Sequence, residues 1–166
     1  MILLAIVAVI LFVFFALVVF RGAPYVPTHK KVLQETFDEL QLKKGSTVVD
    51  LGSGDGVLLK FAAQNGYKAV GYEINPILCL VSYFRCFKYR KLVKIYWRDF
   101  WLTDLPYETT VVYVFLADAF MQKFKQKMLQ QSNILNKKII VVSNGFKIPG
   151  IGPDKVLKGV NIYKIG

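Results

Sequence analysis

The feature that most constrains the fold is an apolar run ending in a glycine-rich turn, followed by a second run ending in an acid. The first is VVDLGSGDG at residues 48–56, and the second is GYEINP at residues 71–76. Asp50 and Glu73 lie 23 positions apart, which fits one strand–helix–strand unit. An acid about 20 residues beyond a glycine turn is where such folds bind a ribose. The pattern therefore predicts an adenosine-containing cofactor.

The spacing of the glycines indicates which cofactor. A dinucleotide-binding turn reads G-x-G-x-x-G, but here Gly52 and Gly54 are followed by a third glycine one residue early, at Gly56. This D-x-G-x-G-x-G pattern resembles motif I of the class I S-adenosylmethionine-dependent methyltransferases. Glycines let the ribose and the amino acid of that cofactor approach the backbone. Asp50 suits its ammonium or sulfonium charge, and Glu73 offers two acceptor oxygens to the ribose. A plain tight turn is the alternative.

The N-terminus predicts a membrane anchor. Residues 2–20 contain no charged side chain, and a helix of that length spans roughly 28 Å, close to the ~30 Å hydrocarbon core. A buried core helix would be shorter with a polar face, and a secretory signal would have a basic start and a small-residue cleavage site. Arg21, Lys30 and Lys31 follow the segment. The positive-inside rule then predicts a single-pass protein with its catalytic domain in the cytoplasm, or in the matrix if mitochondrial.

The charge balance points to an anionic partner. The formal net charge is +11, and the densest cluster comprises Arg85, Lys88, Arg90, Lys91, Lys94 and Arg98. The anionic inner leaflet is the simple partner, and nucleic acid is the less favoured rival. The interleaved aromatic residues, which could stack on bases, are interpreted mainly as core: Tyr83, Phe84, Phe87, Tyr89, Tyr96 and Trp97. One histidine, His29, and two cysteines, Cys79 and Cys86, support neither a metal site nor a disulfide framework.

Strand and helix patterns alternate along the rest of the chain. This alternation predicts an α/β, Rossmann-like sheet with helices on both faces, preceded by one transmembrane helix. We expect an anchor over residues 1–22, a juxtamembrane segment and helix over 23–45, and a cofactor-binding domain over 46–166. The predicted strands are 47–51, 69–73, 93–98, 109–115 and 138–143, with two short ones near Val156 and Ile162. The predicted helices begin at Thr28, Val57, Pro76 and Asp118 and end near Gly45, Asn65, Arg90 and Gln130.

A narrower resemblance rests on the YVPT stretch at residues 25–28 together with the two runs above. In these features the chain resembles the membrane-associated protein-lysine methyltransferases that act on the ATP synthase c subunit and the adenine nucleotide translocase, together with their prokaryotic relatives. The resemblance covers about residues 1–115 well and implies S-adenosyl-L-methionine as cofactor. It also implies a set of cofactor contacts. These are the motif residues Asp50, Gly52, Ser53, Gly54 and Asp55, then Glu73 at the ribose, Ile74 and Phe100 beside the adenine, and Asp99 at its amino group.

Two site assignments stay open at this stage. Thr28 either closes over the cofactor or simply caps a helix. Asp118 either orients a substrate ammonium as a catalytic residue or caps the next helix. The Asn/Asp-Pro-Pro-Tyr/Phe motif of many amino-group methyltransferases is absent after the fourth strand, which reads FLADAF at residues 115–120.

The expected function is therefore N-methylation of a lysine in a membrane protein. The alternatives are methylation of a lipid, quinone or other small molecule, methylation of RNA, and a cofactor-binding module without turnover. Neither the methyl acceptor nor the oligomeric state can be deduced from the chain.

Overall fold

The computed structural model describes residues 30–166. The predicted anchor and Thr28 lie outside these residues. The described helices are α1 (Lys30–Leu40), α2 (Val57–Gln64), α3 (Pro76–Cys86) and α4 (Asp118–Leu135). The strands are β1 (Thr47–Leu51), β2 (Lys68–Glu73), β3 (Val93–Trp97), β4 (Thr109–Val114), β5 (Ile139–Asn144), β6 (Lys155–Leu157) and β7 (Val160–Ile165). Among these helices, none combines the length and the apolar character needed to cross a bilayer.

Within the described residues, seven strands form one sheet in the order β3-β2-β1-β4-β5-β7-β6. The first five pair in parallel, and β7 pairs antiparallel with both β5 and β6. From β1 the chain moves outward on one side to β2 and β3, then returns to β4 on the other side of β1. Ligands of open α/β sheets bind where the strand order reverses in this way, at the carboxyl ends of the strands. The crevice above β1, β2 and β4 is therefore the expected binding place.

Helices cover both faces of the sheet, so the predicted Rossmann-like architecture is confirmed. One core cluster joins α1, α2 and α3 to the sheet through residues such as Leu33, Leu59 and Cys86. The other joins α4 through Met121 and Phe124. Within the described chain, the connection from β3 to β4 contains a 3-10 turn, Phe100–Leu102, in place of an α-helix, and the connection from β5 to β6 contains no helix. The second face is consequently covered by a single helix.

Three helix ends differ from the prediction. The helix α1 ends at Leu40 rather than near Gly45, and α3 ends at Cys86 before a 3-10 turn rather than near Arg90. In contrast, α4 continues to Leu135, where Asn136 takes a left-handed conformation with φ of 49°. Asparagine tolerates this conformation and is a common helix terminator. The helical pattern places Leu129 on the inward side, but this residue is exposed, since Met121, Phe124 and Met128 occupy the buried stripe.

The aromatic residues around α3 are also placed differently from the prediction. Five of the six that the sequence assigns to the core are exposed, namely Tyr83, Phe84, Phe87, Tyr96 and Trp97. The side of α3 that faces the sheet instead carries the small residues Ser82 and Cys86, which are buried. Both cysteines are free thiols. Small inward side chains bring α3 close to α2 and leave the large apolar ones outside.

Gly71→Ala is expected to destabilise the protein because α2 and the glycine turn pack directly on this position. A Cβ atom here would lie 2.5 Å from Leu59 Cδ1 and 2.6 Å from Ser53 Oγ. Overpacking of this kind costs about 1–3 kcal/mol, which lowers the Tm by about 2–4 °C per kcal/mol in a chain of this size. Thermal unfolding measures the change. Gly152→Ala is the control, because its Cβ would meet no atom within 4 Å, and equal Tm values would contradict the expectation.

Candidate functional site

The glycine turn after β1 is held against the end of β2 by main-chain hydrogen bonds. The amides of Gly52 and Ser53 both donate to the Tyr72 carbonyl, at 2.9 and 3.0 Å. Gly52, Gly54 and Gly56 all have positive φ, at 86°, 53° and 79°, a conformation that glycine adopts without strain. A Cβ atom at Gly52 would meet no described atom within 4 Å. The backbone therefore borders open space at the carboxyl edge of the sheet, where a flat ligand could lie against it.

The Glu73 side chain stabilises this turn through hydrogen bonds. The side chain is buried, and its Oε2 accepts a hydrogen bond from the Gly54 amide at 2.8 Å while its Oε1 accepts one from the Asn75 amide at 2.8 Å. The acid thus ties the glycine turn to the start of α3, a role that sequence reasoning missed. Each carboxylate oxygen has two acceptor sites, so one on each remains for ligand hydroxyls.

Asp50 is buried at the carboxyl end of β1, between Gly71 of β2 and Tyr113 of β4. Burial raises the pKa of its carboxyl well above the ordinary value, and the charges of Glu73 and Asp55 raise it further. The Tyr113 hydroxyl is also buried and has no hydrogen-bond partner in the described chain. A positively charged ligand beside Asp50 would stabilise the ionised carboxylate. No sequence pattern marks Tyr113, since only the strand order brings it beside Asp50.

Two motif residues point their side chains into the protein framework. Asp55 forms an ion pair with Arg85 of α3, with 2.6 Å between Oδ2 and Nη2, and its Oδ1 accepts from the Val57 amide at 3.4 Å. The Ser53 side chain is buried close to Gly71. These contacts connect the turn to α2, α3 and β2. A ligand contact from either residue would have to use main-chain atoms.

The residues predicted to flank an adenine lie at the ends of β2 and β3. Ile74 is half-buried, and its carbonyl accepts a hydrogen bond from Trp97 Nε1 at 2.9 Å. Asp99 Oδ1 accepts from the Trp101 amide at 2.9 Å and so caps the 3-10 turn that begins with Phe100. A recess next to them is lined by Arg98, Asp99, Leu102, Thr103 and Asp104. The predicted adenine residues therefore share one end of the crevice.

The residues after β4 form the other end of the crevice. Asp118 is exposed and is the first residue of α4, where Ala117 occupies the N-cap position. The predicted alternative, that Asp118 caps the helix with its side chain, is not seen. The consecutive residues Phe100 and Trp101 adjoin Phe120 of α4, with ring centroids 4.6 Å apart for Phe100 and Trp101 and 6.4 Å for Trp101 and Phe120. The sequence did not single out this aromatic group, because Phe120 lies 19 positions after Trp101.

Comparison with known proteins finds one family model and several relatives. The model described as the ANTKMT methyltransferase domain matches residues 50–155. The human lysine N-methyltransferase of the ATP synthase c subunit is 32% identical over 135 residues, which cover 80% of this chain and 56% of that protein. A protein-lysine N-methyltransferase of Saccharolobus islandicus is 33% identical, with 81% and 84% of the two chains covered. The chain thus spans little more than half of the human relative.

Solved structures give the same fold. An RNA methyltransferase from Salinibacter ruber in complex with S-adenosyl-L-homocysteine superposes with a TM-score of 0.75 at 27% identity, covering 84% of this chain and 94% of that one. A SAM-dependent methyltransferase from Geobacter sulfurreducens, also with S-adenosyl-L-homocysteine, gives a TM-score of 0.56 at 18% identity over 76% and 53% of the chains. The second of these shows the fold alone.

Proposed function

The chain belongs to the ANTKMT methyltransferase domain family of class I S-adenosylmethionine-dependent enzymes, and we propose that it methylates a lysine side chain of a protein. The observation that carries the proposal is the pairing of a buried Asp50 with a braced glycine turn at the switch point of the sheet. The protein-lysine N-methyltransferases among its relatives, in human and in Saccharolobus islandicus, support the choice of acceptor.

The residues of the crevice fit S-adenosylmethionine chemically. Asp50 supplies negative charge in a buried position, opposite the ammonium or sulfonium of the cofactor. Gly52 leaves its Cβ position open, so the cofactor can lie against the main chain. Glu73 is fixed in place by two amides and offers its remaining acceptor sites to the ribose hydroxyls. Asp99 and Ile74 then lie on the adenine side.

Methyl transfer depends on aligning the acceptor amine with the methyl group and excluding water from the site more than on a strong base. When bound, the cofactor supplies a methyl group that its sulfonium already activates toward displacement. The chain has to hold the acceptor amine in line with that methyl, within about 3–3.5 Å. Desolvation against Trp101 and Phe120 lowers the pKa of a lysine amine and favours the neutral nucleophile. Asp118 is exposed at the start of α4, shortly after the carboxyl end of β4, and we assign its carboxylate to orienting the incoming ammonium.

The proposed function includes attachment to a membrane. Residues 1–22 would form the anchor and 23–45 the juxtamembrane segment and helix, with the cofactor-binding domain over 46–166 on the cytoplasmic or matrix side. The support is the uncharged segment 2–20, followed by Arg21, Lys30 and Lys31. Anchoring raises the effective concentration of a substrate in the same bilayer, so a membrane protein is the preferred target. We also propose that Thr28, which precedes α1 in the sequence, closes over the cofactor.

Methyl incorporation tests the function. The full chain in lipid vesicles is incubated with methyl-labelled S-adenosylmethionine and membrane fractions, which are then separated into protein, lipid and RNA. Label in protein, located on lysine by mass spectrometry and absent with Asp50→Asn, is the expected result. Label in lipid or in RNA would contradict it. The RNA outcome has specific support, since the Salinibacter ruber neighbour is described as an RNA methyltransferase and this chain is strongly basic.

S-adenosylmethionine is expected to bind more tightly as the pH rises toward the pKa of Asp50. That pKa is raised, chiefly by burial, so the free site keeps Asp50 protonated over a wider pH range than an ordinary aspartate. The cationic cofactor favours the ionised form. At a pH below the pKa of Asp50 in the free protein, binding therefore releases a proton. The affinity then rises by up to about tenfold for each unit of increase in pH.

Calorimetric titration across the acid to neutral range measures this dependence. The Asp50→Asn variant should bind weakly and show a flat profile, because its side chain does not titrate. A wild-type affinity that stays constant over the range would contradict the assignment of Asp50 to the cofactor's positive charge.

A further inference from the structure

The outward side of α3 is apolar along its whole length. The exposed residues Ile77, Leu80, Val81, Tyr83, Phe84 and Phe87, called here the outer face of α3, recur at the three- and four-residue spacing of one helix side. Phe84 is 67% exposed, and the Tyr83 ring contacts those of Phe84 and Phe87, with centroids 5.8 and 6.1 Å apart. The large apolar side chains therefore form one continuous patch rather than scattered single residues. Contiguous patches of this kind mark interaction sites.

Trp97 extends the patch beyond the helix. On β3 it shares a strand face with Val93 and Ile95, which pack into the core cluster beneath α3. The indole is 67% exposed, and its Nε1 donates to the Ile74 carbonyl at 2.9 Å. This bond fixes the ring next to the first turn of α3. Trp97 is therefore a rigid, amphipathic edge of the outer face.

The charges around the outer face have one sign. Between Pro76 and Arg98 the sequence contains six basic residues and no Asp or Glu. Arg85 is paired with Asp55, but Lys88, Arg90 and Lys91 are exposed just beyond the end of α3. The Arg90 guanidinium lies over the Phe87 ring, 4.9 Å from its centroid. The patch thus combines apolar and aromatic side chains with a cationic end.

We propose that the outer face of α3 lies in the interface of an anionic lipid bilayer. An apolar helix side bordered by Trp, Tyr and basic residues has the composition of helices that lie in the membrane interface. Anionic headgroups match Lys88, Arg90 and Lys91, while the acyl region accepts Leu80, Phe84 and Phe87. A second copy of the chain is disfavoured as the occupant, because a symmetric contact would pair two surfaces of the same sign, each with basic and no acidic residues between Pro76 and Arg98.

Docking of α3 on a bilayer would also orient the candidate site. The helix α3 joins the parallel strands β2 and β3, so it runs back along the sheet, and its first residue follows Glu73 by three positions. With α3 in the membrane plane, the strands run along the membrane surface. The carboxyl edge of the sheet then opens sideways at the level of the headgroups. A substrate segment leaving the bilayer could enter the crevice without a long reach.

Trp97 itself provides the test, independently of any methyl transfer. The chain has two tryptophans, Trp97 and Trp101, so Trp101→Phe leaves Trp97 as the single fluorophore. This full-length variant is reconstituted into vesicles of phosphatidylcholine and phosphatidylglycerol whose acyl chains carry bromine. We expect quenching of the Trp97 emission and a shift to shorter wavelength. Adding Leu80→Gln, Phe84→Gln and Phe87→Gln should abolish both effects.

Matched controls distinguish membrane binding by the outer face of α3 from nonspecific hydrophobic binding and from misfolding. Ile134→Gln with Val156→Gln changes two apolar residues of similar exposure elsewhere and should leave the quenching intact. Lys88→Glu with Arg90→Glu and Lys91→Glu should reduce quenching without altering the apolar residues. Circular dichroism verifies the fold of each variant.

Two outcomes would overturn the proposal. One is an unquenched Trp97 in the reconstituted parent, and the other is quenching that the triple glutamine variant retains. Self-association in detergent that the same variant abolishes, together with an unquenched Trp97, would assign the outer face to a second copy instead. Each of these readouts is separate from activity, so failure here leaves the proposed function untouched.

Discussion

Replacing Glu73 by alanine should lower the affinity for S-adenosylmethionine by about 100- to 1,000-fold. The side chain accepts hydrogen bonds from the Gly54 and Asn75 amides. Hydrogen bonds to charged groups are worth about 1.5–3 kcal/mol each, and the same carboxylate is the proposed ribose acceptor. Alanine removes the ligand contact and loosens the glycine turn together. A combined loss of about 3–4 kcal/mol in binding corresponds to that change in Kd.

Calorimetric titration of the full chain in detergent measures this effect. Glu73→Gln is the informative intermediate, because its amide oxygen can still accept one hydrogen bond while its NH₂ group cannot accept the other. Glu108→Ala, which removes an exposed acid just before the amino end of β4, at the edge of the sheet opposite the crevice, should bind as the wild type does. A folded Glu73→Ala variant with unchanged affinity would remove Glu73 from the cofactor site.

Gly56→Ala should be the most destabilising single methyl addition in the glycine turn. The residue has φ of 79°, and a Cβ atom there would lie 2.2 Å from Ser82 Oγ, 3.0 Å from Ser82 Cβ and 3.2 Å from Ser82 Cα. The backbone of α3 would therefore have to move. Strain of about 1–2 kcal/mol from the left-handed conformation adds to about 1–3 kcal/mol of overpacking. The sum is a large fraction of a typical stability of about 5–15 kcal/mol.

Gly45→Ala separates the two contributions. Gly45 has a matching φ of 82°, but a Cβ atom there would meet no described atom within 4 Å, so this variant carries the strain without the clash. Thermal and denaturant unfolding of both variants gives the two free-energy changes. If Gly56→Ala and Gly45→Ala lower the stability equally, then α3 does not pack on the turn as closely as the structure has it.

Much of the fold follows from local patterns in the chain. The glycine spacing and the acids Asp50 and Glu73 identify the cofactor class, because a turn of that geometry needs those residue types. The strands β1, β2 and β4 agree with the prediction within one residue at each end, since buried parallel strands are short apolar runs between turn residues. The prediction ends α4 too early, near Gln130, whereas the helix continues through the buried Gln131 and Ser132 to Leu135.

Contacts between side chains from different elements cannot be predicted from local patterns in the same way. The carboxylate of Glu73 can be predicted as a ligand acceptor, but its bonds to Gly54 and Asn75 depend on how the turn folds back over β2. Tyr113 lies beside Asp50 only because β4 returns to the side of β1 opposite β2. Phe100, Trp101 and Phe120 adjoin through the shortened connection between β3 and β4, which carries a 3-10 turn rather than a helix.

The architecture and the cofactor class can both be deduced from the chain alone, because short-range patterns of glycine, acid and apolar residues specify them. The buried side of α3, in contrast, depends on contacts between distant segments. Apolar residues surround most of this helix, so periodicity alone could not choose a side. The choice follows from close approach at Gly56, where only the small side chains of Ser82 and Cys86 fit. Packing volume, rather than hydrophobicity, therefore turned the large aromatic residues outward.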